Sequence, residues 1–211
     1  MTPARRASKQ FGGTPADALV VGLGNPGRDY VGSRHNVGFE VIDELSRRFG
    51  CELREQRRQR ARVGECRNDR FVVLVQPQTY MNLSGEAGAA LLRPSCIQAL
   101  TRPGLAHDAP GPPAGRLRVK SGGGLAGHNG LRSLRDHLGT TDFARIRIGV
   151  GKPPDKARGA DHVLRRVGRG ERELLDQVVD VAADAVACLL AEGVDAAMNA
   201  YNGTDLAAVD P

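Results

Sequence analysis

Ala18-Leu19-Val20-Val21-Gly22-Leu23-Gly24-Asn25-Pro26-Gly27 is a short apolar, partly β-branched run followed by a glycine-rich turn. The run predicts a buried strand, and the turn its end. Gly22 to Gly27 match G-x-G-x-x-G literally, the pattern with which a strand delivers a dinucleotide's phosphates to a helix N-terminus. That context fails downstream, because residues 28–34 include Gly32 and lack helical spacing, and the first evident helix starts near Asn36. Asp43 and Glu44 fall inside that helix instead of closing a second strand. A nucleotide-binding α/β protein therefore rests on the glycines alone and would require saturable nucleotide binding. The glycines read better as shaping a tight turn beside an active site.

Working outward, Asn36 is placed to cap a helix running to Phe49, in which Val37, Val41, Ile42, Leu45 and Phe49 recur at helical spacing and Gly50 stops it. Residues 60–66 and 71–76 predict two strands joined by an Arg67–Arg70 turn. Asn82 to Leu92 suits a second helix. Arg116 to Lys120 alternates, so Arg116, Arg118 and Lys120 share one face of a strand while Leu117 and Val119 face a core. Leu131–Leu138 predicts a helix, Ala144–Val150 a strand, 171–192 a long amphipathic helix and 194–201 a shorter one. Arg93 to Ala114, with Pro94, Pro103, Pro110, Pro112 and Pro113, predicts loop. Interspersed strands and helices imply an α/β fold: a single domain with a twisted mixed β-sheet flanked by helices.

The chain has 211 residues, with 30 Lys and Arg against 24 Asp and Glu, a formal charge of +6. That length suits one domain, residues 18–205, behind a basic tail at 1–17 that reads as disordered and lacks the apolar core of a secretory signal. The charge is unevenly spread. Residues 173–211 carry eight acids and no Lys or Arg, so all the basic residues lie in 1–172 against only 16 acids. Such a field attracts polyanions, nucleic acid or phosphorylated ligands first. The run Arg47 to Arg62, with seven arginines and two acids, reads as a solvated face. No apolar run approaches the ~18 residues of a membrane span, which points to a soluble protein. Cys51, Cys66, Cys96 and Cys188 lack C-x-x-C spacing, which indicates neither a zinc site nor a disulfide framework and fits reduced thiols in a cytosol. Five Phe, three Tyr and no Trp are too few to build platforms for unpaired bases, so phosphate and shape should dominate any nucleic-acid contact.

His35, at the loop-to-helix junction beside the glycine turn, and His128, in Gly127-His128-Asn129-Gly130, sit where a scaffold presents catalytic groups. Asn25, Asn82 and Asn129 lie in short polar motifs, and a carboxamide can donate to an oxyanion or bind a peptide backbone. There is no G-x-S-x-G elbow and no local signature of a nucleophilic cysteine. A water activated by histidine is the simplest hydrolytic chemistry available to these residues.

Several ordered motifs resemble the bacterial-type peptidyl-tRNA hydrolase family. They are Gly22–Gly27 with Tyr30 and Arg34-His35-Asn36-Val37-Gly38, then Gln76-Pro77-Gln78-Thr79-Tyr80-Met81-Asn82-Leu83-Ser84-Gly85, then Gly122 to Ser133 and Phe143 to Gly151. Asp161-His162-Val163-Leu164 and Ala197-Met198-Asn199-Ala200-Tyr201-Asn202 extend the resemblance to residues 18–203. It implies a monomeric, cytoplasmic α/β enzyme of translation that hydrolyses the ester between a peptide and the terminal ribose of tRNA, with no metal and no organic cofactor. By position, His35 matches the general base and Asp108 the aspartate that orients it. Asn25 matches the asparagine that distinguishes N-blocked peptidyl-tRNA from aminoacyl-tRNA. Tyr30, Tyr80, Met81, Asn82, His128 and Asn129 match substrate positions, and Arg118, Lys120 and Arg147 match basic positions proposed to clamp phosphates.

The resemblance lapses at 93–114. Where the family reads roughly Val-Val-His-Asp-Asp-Leu-Asp-Leu-Pro-x-Gly, this chain keeps His107-Asp108 but has Ala109 and Gly111 in place of the next two acids. Pro94 and Pro103 each remove a backbone donor from what the family builds as helix end and core strand. The window reads as a local frame scramble or a degenerate copy, in which Asp108 is present in sequence but misplaced in space. The competing function is then a catalytically impaired, hydrolase-like RNA-binding protein.

Overall fold

The computed structural model describes residues 16–67, 69–88, 91, 104–109, 112–153 and 159–208. Seven strands form one sheet: β1 (Ala18–Gly22), β2 (Arg54–Gln56), β3 (Ala61–Arg67), β4 (Phe71–Pro77), β5 (Gly104–Ala109), β6 (Leu117–Ser121) and β7 (Ala144–Gly149), in the order β2-β3-β4-β1-β5-β7-β6. The four inner strands β4, β1, β5 and β7 are parallel, and the outer ones join antiparallel. The helices are α1 (Val37–Phe49), α2 (Ser84–Gly88), α3 (Asn129–Leu138), α4 (Gly159–Leu164), α5 (Arg169–Glu192) and α6 (Val194–Tyr201). This is the single-domain, mixed-sheet α/β architecture expected from the sequence.

Strand alternation divides the core in two. Val20, Val72 and Leu74 with Leu117, Val119, Ile146 and Ile148 pack on one face against α1, α5 and α6. Leu19, Val21, Val73 and Val75 turn to the other face, where Met81 and the α3 residues Leu131 and Leu134 cover them. The inner strands are buried on both faces, which is why β1 and β4 read as unbroken apolar runs. The acidic C-terminal helices thus lie on the face opposite Arg118 and Lys120, which β6 leaves exposed between Leu117 and Val119.

The first glycines serve packing and not phosphate binding. A Cβ on Gly22 would lie 2.0 Å from the Gly38 carbonyl oxygen, and one on Gly24 would lie 2.7 Å from the Phe39 ring, so α1 crosses β1 at a distance only glycine permits. Only short 3-10 turns, Arg28–Tyr30 and Arg34–Asn36, separate the motif from α1, so no α-helix begins inside it, in keeping with the failed dinucleotide context.

Several expectations are corrected. Part of the window expected to be loop, residues 104–109, is an inner strand, parallel to β1 on one side (Val21 opposite Leu105) and to β7 on the other (Asp108 opposite Ile148). Pro103 and Pro110 flank this strand and none lies within it, so no ladder donor is lost. Neighbours on both sides supply the backbone partners that local periodicity could not reveal. Pro94 and the rest of 92–103 lie outside the described residues. Cys51 and Cys66 form a disulfide across 15 residues of sequence, contrary to the expected free thiols; the left-handed Gly50 turns the chain back beside β3 and brings them together. The expected second helix begins with a 3-10 turn at Met81–Leu83 and is helical over Ser84–Gly88, with residues 89, 90 and 92 outside the described set. The short β2 and α4 carry no clear periodicity and emerge only in the structure. Residues 1–15 of the expected tail are not described, whereas Ala16 is buried and Asp17 exchanges hydrogen bonds with the Phe71 backbone, so the fold begins before residue 18. Among the described residues no helix is long and apolar enough to cross a membrane.

The arginine-rich stretch is exposed, as expected, and largely paired. Arg47 and Arg48 grip Glu44, Arg48 also reaches Asp180 and Asp184, Arg60 meets Glu86 and Arg62 meets Asp43.

Candidate active site

The adjacent parallel strands β1, β4 and β5 all end at the same edge of the sheet, and the groups that follow them converge there, as in open α/β sheets generally. The loop after β1 carries Asn25 and His35, the turn after β4 carries Tyr80, Met81 and Asn82, and the end of β5 supplies Asp108. With Ala126, Gly127, His128 and Asn129 from the start of α3 and the loop before it, and Gly159, Val163 and Leu164 of α4, they line a cleft of about 570 Å³.

At its floor Asp108, 1% exposed, is shared by two histidines. His35 approaches Asp108 Oδ1 through Nδ1 at 2.8 Å, and His128 approaches the same oxygen through Nε2 at 3.0 Å. His128 caps α3 by accepting the Leu131 N–H on its Nδ1, so its proton sits on Nε2 and is donated to Asp108. Burial alone would raise the Asp108 carboxyl; the hydrogen bonds from His128 and His35 outweigh it and hold the group well below the usual carboxylate range. An ionised Asp108 fixes the His35 proton on Nδ1, leaving the Nε2 lone pair of a cleft-lining side chain to accept a proton. These three side chains are close enough to offer ligand atoms to a cation. With the His128 Nε2 lone pair replaced by a proton, however, the trio is a hydrogen-bonded relay. His107, beneath it, donates Nδ1–H to the Asp108 carbonyl at 2.7 Å and packs edge-on to His128. Burial pushes its imidazole down to about 3, with His128 adding to the effect.

Asn36, expected to cap α1, makes no side-chain cap. Its Oδ1 accepts the Asn25 N–H at 2.8 Å and its Nδ2 donates to the Asn25 carbonyl at 2.9 Å. The Asn25 Oδ1 in turn accepts the Met81 N–H at 2.7 Å, which leaves the Asn25 Nδ2 as the donor offered to the cleft. A donor is what a substrate carbonyl requires.

Of the residues singled out in the sequence, His35, Asp108, Asn25, Tyr80, Met81, Asn82, His128 and Asn129 share this cleft. Asp108 is in contact with His35, so its expected misplacement is corrected: strand β5 carries it there. Tyr30 sits on a 3-10 turn outside the cleft lining. Arg118 and Arg147 lie opposite each other on β6 and β7 and line a separate hollow, while Lys120 stands opposite Arg145. Sequence reasoning missed Arg145, buried on β7, whose guanidinium donates to the carbonyls of Gly122 and Gly124 and so holds the loop leading to His128. It also missed Ala126, which adopts φ +49° at the cleft wall, and gave no role to Arg34, quoted only within the motif around His35.

Comparison with known proteins places this geometry. The family model described as peptidyl-tRNA hydrolase matches residues 19–208. The peptidyl-tRNA hydrolase of Dehalococcoides mccartyi strain CBDB1 is 43% identical over 188 residues, covering 87% of this chain and 98% of its own. That of Nocardia farcinica is 44% identical over 189 residues, covering 89% and 97%. The crystal structure of peptidyl-tRNA hydrolase from Acinetobacter baumannii superposes with a TM-score of 0.80 at 34% identity, over 92% of this chain and 98% of that one. With a family match along almost the whole chain and close relatives over nearly their full length, this chain belongs to the peptidyl-tRNA hydrolase family.

Proposed function

We propose that the chain hydrolyses the ester bond between the peptide and the 3′-terminal ribose of peptidyl-tRNA, releasing free peptide and reusable tRNA. The observation that carries this reading is the His35–Asp108 hydrogen bond at the floor of a cleft rimmed by asparagines. A water in the cleft gives its proton to His35 Nε2 and attacks the ester carbonyl, and Asp108 stabilises the imidazolium that forms. The developing oxyanion calls for donors, and the carboxamides of Asn25, Asn82 and Asn129 are the available ones. Asn25 also has the chemistry to hold a peptide carbonyl, which a substrate with a free amino acid lacks. Collapse of the tetrahedral species expels the ribose hydroxyl, which recovers the proton from His35. Tyr80 and Met81 contribute apolar contact to the peptide, and Tyr30 acts from outside the cleft.

The tRNA phosphates would be held by Arg118 and Lys120, exposed on β6, and by Arg147, opposite Arg118 on β7. We take the chain to act as a monomer, and the substrate's chemistry supports a cytoplasmic setting. The impaired RNA-binding alternative rested on a displaced Asp108 and loses that support. The test is release of N-acetyl-amino acid from N-acetyl-aminoacyl-tRNA: His35→Ala abolishes release while tRNA binding survives, and retained turnover would sink the assignment.

A further inference from the structure

The residue before His35 is held at three points of its side chain. Arg34 donates Nε–H to Glu171 Oε1 at 2.6 Å and pairs Nη2 with Glu171 Oε2, a two-point fork on the first turn of α5. Its Nη1 donates to the His162 carbonyl of α4 at 2.8 Å. The next residue of α5 makes a pair of opposite polarity: Arg172 grips both oxygens of Glu40, in the first turn of α1, at 3.1 and 2.9 Å. His35 is therefore bracketed by two ion pairs to consecutive residues of one helix turn. Backbone contacts follow the same seam, with Ser33 bridging Arg166 and the Val167 N–H donating to the Gly32 carbonyl at 3.2 Å. On the other side of Arg34, Val163 and Leu164 of α4 form a wall of the cleft that His35 enters.

We infer that Arg34 is a positioning residue for the reaction: its guanidinium, locked on Glu171 and on the His162 carbonyl, sets both the backbone carrying His35 and the α4 wall of the same cleft. Planarity matters here. A guanidinium satisfies a carboxylate and a carbonyl in one rigid plane, whereas a lysine ammonium at this point supplies charge without the fork. Displacing a base by about 1 Å can cost on the order of 100-fold in rate, so the fork acts on catalysis through geometry and without touching substrate. This rests on His35 being the base.

The experiment compares Glu171→Gln and Arg34→Lys with the parent and with His35→Ala, reading kcat and KM on N-acetyl-aminoacyl-tRNA, affinity for uncharged tRNA, and the thermal midpoint. The expected result is a loss of kcat of about 10- to 100-fold relative to the parent. KM and uncharged-tRNA affinity stay the same, and the midpoint moves by only a few degrees. Unchanged kcat in both variants would overturn the inference, as would a raised KM with kcat kept or a loss that merely tracks the unfolded fraction. If His35→Ala itself kept full turnover, the reading of His35 as base would fall, and this inference with it; a dead His35→Ala beside fully active Arg34 and Glu171 variants would overturn this inference alone.

Discussion

The carboxamide of Asn36 mimics a strand neighbour for Asn25, accepting from its N–H at 2.8 Å and donating to its carbonyl at 2.9 Å. Two residues 11 apart are thereby fixed as a pair at the start of the cleft. Replacing Asn36 with Leu leaves two buried backbone groups unpaired, each costing about 1–3 kcal/mol. Asn36→Leu should therefore lower unfolding free energy by about 2 kcal/mol or more in urea titrations. It should also narrow the preference for N-acetyl-aminoacyl-tRNA over aminoacyl-tRNA, because Asn25 loses its fixed orientation.

Asp108→Asn offers an amide where two histidine N–H groups need an acceptor. Both histidines approach one oxygen, which an amide oxygen can still supply, but the amide carries no negative charge to stabilise the imidazolium that forms on His35. We expect kcat to fall by about 100-fold or more, in the range attributed to general-base catalysis, with tRNA affinity retained in a filter-binding assay.

Arg118, Lys120 and Arg147 present three cations on one face of β6 and β7. Replacing each by Ala should raise KM with little change in kcat. It should also reduce the slope of log affinity for tRNA against log salt by about 0.7–0.9 for each phosphate that is no longer neutralised.

His107 gives the protein a specific acid sensitivity. Its folded pKa, about 3, lies below the ordinary histidine value near 6.5, so the unfolded chain binds the extra proton first. Stability is therefore intact above about pH 6.5 and is lost as pH falls toward 3, at up to about 1.4 kcal/mol per pH unit for one proton. The lowered Asp108 carboxyl acts in the same direction once pH falls below its ordinary value of about 3.9. Denaturant titrations between pH 7 and 4 should show His107→Asn with a flatter profile than the parent.

Gly22→Ala places a methyl group 2.0 Å from the Gly38 carbonyl oxygen, with backbone on both sides of the clash. Overpacking of this kind costs about 1–3 kcal/mol or more, and circular-dichroism melts should report it as a markedly lower midpoint. The same change at Gly124, where a Cβ meets nothing within 4 Å, should be nearly neutral.

Much of the architecture was legible because its signals are local. The apolar spacing of Val37 to Leu45 with Gly50 behind it marks α1, and the alternation of Leu117, Arg118, Val119 and Lys120 marks β6 with its basic face outward. Strand β5 was not legible. Gly104 to Ala109 has neither strong alternation nor a run of β-branched residues, and prolines crowd its flanks; it is a strand because β1 and β7 stand on either side of it. The Cys51–Cys66 pairing was hidden for a related reason, since spacing along the chain does not report proximity across a hairpin.

By itself, the sequence determined the fold class, the family, and the identity of most groups in the cleft, because helical and strand periodicities and motif order are properties of neighbouring residues. Only the tertiary structure decided how those groups are used. The tautomer of His128 depends on the Leu131 N–H, the carbonyl side of Asn25 is consumed by Met81, Asn36 serves Asn25 and not its own helix, and Arg34 finds a partner 137 residues away. The first three are hydrogen bonds between buried groups, where no solvent molecule takes the partner's place, and the fourth is a part-buried fork that only the docking of α5 supplies.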